Sequence, residues 1–113
     1  MSKVVKQKNL TLAEVVGILE EIRKKRELTS IETYTLDYAK KFSKTNAENA
    51  RKAVEELVKL GLPDNIAVQL VNIMPEDEDE IRALLAPYMR ALTSNQIKGI
   101  LEILEKYKAK PEG

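Results

Sequence analysis

Four times in this chain a threonine is followed three residues later by glutamate or glutamine at the head of an apolar-periodic stretch: Thr11 with Glu14, Thr29 with Glu32, Thr45 with Glu48, and Thr93 with Gln96. In such a pair the hydroxyl accepts the backbone N–H of the third helical residue, and that residue's side chain reaches back to the threonine N–H. The spacing therefore marks a helix start. Four such starts in 113 residues leave room for little besides helices and short connections.

The stretches that follow agree. Leu12, Val15, Val16, Leu19 and Ile22 recur at helical spacing until the charged run Arg23 to Glu27. A second segment runs from Thr29 through Phe42 and carries Ile31, Tyr34, Leu36, Tyr38 and Phe42. Thr45 and Glu48 open a third, with Ala50, Ala53, Val54, Leu57 and Val58 inward, stopped by Gly61 and then Pro63. Asp64 is expected to cap a fourth containing Ile66, Val68, Leu70, Val71 and Ile73. It ends before Pro75, because the residue preceding proline is pushed out of the helical region. Apolar residues nearly encircle this fourth segment, which should make it central. Glu76 to Glu80 lead a fifth helix through Ile81, Leu84, Leu85 and Tyr88. Thr93 and Gln96 cap a sixth carrying Ile97, Ile100, Leu101, Leu104 and Tyr107. Aromatics are 4% and charged residues 33% of the chain, the composition of an all-α bundle.

Residue types also restrict chemistry. The chain has no His and no Cys, which removes the ordinary neutral-pH acid–base group, the thiolate nucleophile, disulfides and the common structural zinc sites. Four scattered glycines cannot form a phosphate-binding loop. The expectation is a binding protein rather than an enzyme, with no catalytic residue, cofactor or metal. The acidic run Glu76-Asp77-Glu78-Asp79-Glu80 lacks the alternation and central glycine of a calcium loop and suits a helix N-terminus on dipole grounds. Arg23, Lys24, Lys25 and Arg26 similarly suit a helix C-terminus. Lys40, Lys41 and Lys44, beside Tyr38 and Phe42, are the candidate contact with unpaired RNA. Net charge is +1, so no bulk attraction to nucleic acid or anionic membrane is expected. No window approaches a membrane span, and Met1 to Leu10 lack the apolar stretch of a signal peptide, which points to the cytoplasm.

The N-terminal third has more apolar surface than a small bundle needs. Leu12, Val15, Val16, Ile18, Leu19 and Ile22 form a wide stripe, preceded by Val4 and Val5 in a segment that reads as an extended arm or an unpartnered strand. Either the stripe closes this chain's own core, or arm and stripe lie on a partner, the arm adding a strand to a foreign sheet edge. Residue patterns alone leave both open.

A resemblance decides between them. Thr33-Tyr34-Thr35-Leu36-Asp37-Tyr38-Ala39-Lys40-Lys41-Phe42, the stretch Ala47 to Leu57, Ile73-Met74-Pro75, Asp79 to Leu85 and the helix Thr93 to Tyr107 follow in an order that resembles the F-type stalk subunits of archaeal RNA polymerases. These are counterparts of the fourth-largest subunit of eukaryotic RNA polymerase II. The resemblance covers roughly residues 10 to 108. It implies an N-terminal arm and partner-clasping helices over residues 1–45, an HRDC-like helical domain over 46–108, and a flexible tail over 109–113. It also implies a heterodimer with the E-type subunit, whose OB-fold carries most of the RNA-gripping surface. The pair forms the polymerase stalk and supports promoter opening, transcript binding, processivity and termination. By this analogy Val4, Val5, Leu12, Val15, Val16, Leu19, Ile22, Tyr34 and Tyr38 meet the E-type partner. The polymerase core and, weakly, nascent RNA complete the expected partners, and no membrane is involved. The competing function is a free-standing HRDC-like nucleic-acid-binding module acting through basic helix faces.

Overall fold

The computed structural model describes residues 9–88 and 92–108. They form α1 (Leu12–Lys25), α2 (Ser30–Phe42), α3 (Ala47–Lys59), α4 (Asp64–Ile73), α5 (Glu78–Leu85) and α6 (Ser94–Tyr107), with no strand among the described residues. The fold is all-α, as the threonine spacing requires.

At Thr11, Thr29 and Thr93 the full reciprocal pair of cap hydrogen bonds is present. At Thr45 it is not. Asn46 caps α3 instead, its side chain accepting the N–H of Asn49 at 2.8 Å, because the amide side chain one residue later is at least as good a cap. The Thr45 hydroxyl is thereby released and donates to the carbonyl of Tyr107 at 2.6 Å, satisfying an orphan acceptor at the end of α6.

Three other expectations shift. Pro63 occupies the cap position of α4 without a side-chain bond, and Asp64 is the first helical residue, its carboxylate accepting from Asn9. Helix α5 stops at Leu85 rather than reaching Tyr88. Pro87 has no N–H with which to continue the ladder, and the Tyr88 N–H turns back to the Leu85 carbonyl. Val58 faces outward instead of inward. The α3 terminus is as expected: Gly61 sits at φ 107°, Leu62 N–H bonds to Leu57 O, and Gly61 N–H to Val58 O. This is a Schellman closure with buried Leu57 and Leu62 at its ends. Helix α4 ends at Met74, which adopts the left-handed conformation at φ 51° just ahead of Pro75.

Packing is built on one main core and a smaller apolar contact beside it. Helix α3 lies against α4 and α6, and α5 against α6, around a shared core that includes Leu57, Leu70, Ile81, Ile97, Ile100 and Leu104. Ala13 is the α1 residue that reaches this core. Helix α1 packs on α3 and on α2. Leu19, Leu36 and Ala39 are also buried but lie outside the main core, where α2 rests on α1. At 21 Å in its shortest dimension the slab is about two helix diameters thick, which leaves broad faces for apolar side chains to surface.

Candidate partner interface

Helix α2 has two apolar faces. Leu36 and Ala39, three residues apart, are 2% and 1% exposed. Ile31, Tyr34, Tyr38 and Phe42, spaced by three, four and four residues, fall on a different face and are 79%, 73%, 50% and 45% exposed. The Tyr38 and Phe42 rings lie 4.7 Å apart between centroids, tilted by 43°. Exposed apolar residues on a monomer normally occur singly, so four large ones along one helix make this face the candidate contact surface. Ile18 of α1 is also exposed.

The α1–α2 hairpin that carries this face is held at its turn and along its length. Arg26 forks onto Glu32 with bonds of 2.9 and 2.8 Å, and Glu32 also accepts the N–H of Thr29, joining the end of α1 to the start of α2. The Arg26 hydrogen bonds, followed by that of the Thr29 backbone, pull the Glu32 carboxyl down to about 2. Lys40 bonds to Glu20 at 2.6 Å across the hairpin, and its hydrogen bond is the main cause holding the Glu20 carboxyl below the usual carboxylate range.

The residues expected to meet a partner are distributed unevenly. Tyr34 and Tyr38 are exposed, whereas Leu12, Val15, Val16 and Ile22 are half-buried, and Leu19 is covered by the chain's own residues. Val4 and Val5 lie outside the described residues. Ile31 and Phe42 are absent from the expected interface residues, although their helical register with Tyr34 and Tyr38 is a signal that could have found them.

The expected RNA-contacting lysines have different surroundings. Lys40 is engaged by Glu20, Lys41 lies 5.7 Å from the Phe42 ring centroid, and Lys44 is exposed past the end of α2. Arg23, Lys24 and Arg26 are paired with Glu20, Glu21 and Glu32 in and beyond the last turn of α1. In the acidic run, Asp77 caps α5 by accepting the Glu80 N–H at 2.8 Å. Among the described residues, no three His, Cys, Asp or Glu side chains are placed to hold a metal ion. No helix among them is long and apolar enough to cross a membrane. What this arrangement can do is bury apolar rings against another surface, each worth about 1.5–3 kcal/mol when fully covered.

The family described as RNA polymerase Rpb4 matches this sequence over residues 3–108. A protein named DNA-directed RNA polymerase subunit Rpo4 from Methanocaldococcus jannaschii is 38% identical over 105 residues, covering 93% of this chain and 89% of its own length. A protein of the same name from Saccharolobus solfataricus is 34% identical over 74 residues, covering 65% of this chain and 66% of its own.

Proposed function

The chain belongs to the RNA polymerase Rpb4 family, as an archaeal counterpart, and from that premise we propose that it is the stalk protein that clasps the E-type subunit of the same polymerase. It is a non-catalytic component of a DNA-directed RNA polymerase. In the proposed arrangement residues 1–45, with the α1–α2 hairpin, hold the E-type partner, and residues 46–108 form an HRDC-like unit that stiffens the pair. The heterodimer then supports promoter opening, transcript holding, processivity and termination through protein contact, and this chain adds at most a weak grip on RNA through Lys41 and Lys44.

The observation that carries this reading is the exposed row Ile31, Tyr34, Tyr38 and Phe42 on a helix whose opposite face is already buried. A protein that is always bound presents such an apolar face to its partner.

The test is co-purification of the tagged chain with its E-type partner, carried out for the unaltered chain and for Tyr34→Asp and Tyr38→Asp. Both substitutions fall on exposed positions, so the folded content measured by circular dichroism should stay unchanged. Heterodimer recovery should fall by at least tenfold, because a carboxylate buried without a partner costs several kcal/mol. Full recovery of both variants would remove α2 from the interface. Binding of single-stranded RNA by the chain alone, weakened by salt and by Lys41→Glu, would point to the nucleic-acid module instead.

A further inference from the structure

The root of α1 is gripped by polar contacts that helix capping does not require. Glu14 completes the Thr11 cap, as Glu32 and Gln96 do for theirs, and Gln96 shows that a neutral amide suffices. Glu14 has a second role. Arg51 of α3 donates to it twice, Nε at 3.0 Å and Nη2 at 2.7 Å. The same Nη2 donates to the backbone carbonyl of Asn9 at 2.8 Å, upstream of the helix. Asn9 in turn donates its side-chain amide to Asp64 at 2.9 Å, and the N–H of Leu12 finds the side-chain oxygen of Asn72 at 2.9 Å. The start of α1 is thus tied to α3 and to both ends of α4.

Glu14 and Arg51 are 12% and 20% exposed at their side chains, the least exposed ion pair among the described residues, and Thr11 beside them is buried. Burial alone would raise the Glu14 carboxyl, but the Arg51 and Thr11 hydrogen bonds outweigh it and hold the group below the usual carboxylate range. A guanidinium is suited to this position because one planar fork serves a carboxylate and a carbonyl together, which an ammonium cannot do in the same geometry.

We propose that Arg51 and Glu14 are positioning residues for partner docking: their clasp fixes Asn9 and the root of α1 against α3 and presets α1 for the partner. The inference rests on the reading that the N-terminal segment and hairpin meet the E-type stalk protein. Fixing this root of α1 before the encounter removes ordering that docking would otherwise have to supply, so the clasp is felt in affinity and not only in stability.

The experiment measures binding to the purified E-type partner for Arg51→Lys, Glu14→Gln and the double variant, and amide exchange over residues 9–15 in the chain alone. Arg51→Lys keeps the charge and Glu14→Gln keeps a capping side chain, so neither removes a helix. Each single variant should weaken binding about tenfold, and the double variant no more than about twofold further, because both act on one contact. Val54→Ala, a core truncation in α3 remote in kind from the clasp, is the stability control and should change affinity less than about twofold.

Affinity of Arg51→Lys equal to that of the unaltered chain, or losses no larger than those of Val54→Ala, would overturn the proposal. If the unaltered chain itself fails to bind the E-type protein, the partner assignment falls, and the exchange data judge the clasp separately. About tenfold faster exchange at residues 9–15 in Arg51→Lys supports it, and unchanged exchange overturns it.

Discussion

The α1–α2 hairpin and the α3–α6 unit begin from the same local signals and end in different states. Capping boxes start α1, α2 and α6 alike, and basic residues occupy the last turns of α1, α2, α3 and α6. Yet α3–α6 close around a common core, while α2 covers only Leu36 and Ala39 and leaves Ile31, Tyr34, Tyr38 and Phe42 in solvent. Capping and propensity decide that a segment is helical. What covers its apolar face is decided by tertiary packing, and among the described residues nothing covers the Ile31 to Phe42 face of the hairpin.

Unequal responses of the two regions would sharpen this contrast, and equal ones would break it. The largest effect is expected from Leu57→Ala, at a fully buried core position, which should lower the unfolding free energy by about 2–5 kcal/mol in chemical denaturation. Leu36→Ala should cost about 2 kcal/mol, felt locally, since the small patch it leaves can collapse. Hydrogen exchange should then quicken across α2 while the main transition stays in place. A main transition displaced as far as in Leu57→Ala would mean that hairpin and bundle form one cooperative unit.

Acid gives a smaller effect. The folded Glu32 carboxyl titrates at about 2, below its ordinary 4.5, so its contribution to the hairpin turn is complete above about 4.5 and is lost as pH falls toward 2. Amides at the start of α2 should lose protection over that window, and a Glu32 titration near 4.5 would dissolve the Arg26 link. The least effect is expected of Glu78→Gln, within about 0.5 kcal/mol by thermal unfolding, because Asp79 and Glu80 still face the α5 dipole.

Most of the helix order is legible in the sequence, because capping side chains act within three residues and apolar periodicity within four. Sequence and structure part where two local solutions compete. Thr45 and Asn46 are adjacent possible caps of similar quality, and the Thr45 hydroxyl, once Asn46 caps, bonds to the Tyr107 carbonyl 62 residues away, which no local pattern announces. Pro87 limits α5, although Tyr88 continues the apolar pattern. Apolar patterning points to helix one as the interface, since its stripe is the wider in sequence, but Leu19 and Ala13 commit part of it to the chain's own packing. Arg51 gives no signal at all. Its partner Glu14 lies 37 residues away, and nothing in the spelling of α3 distinguishes that cation from Lys52 beside it.

The bond from Thr45 to the Tyr107 carbonyl makes residues 45–107 a ring in all but the covalent sense. Its entrance and exit meet within one hydrogen bond, so the end of α2 and the end of α6 come together at a single corner of the bundle. The hairpin joins the ring at that corner, at the root of α1 and along the contact of α1 with α3. In shape the molecule is a bracket: one closed frame, and one arm braced along a side of it.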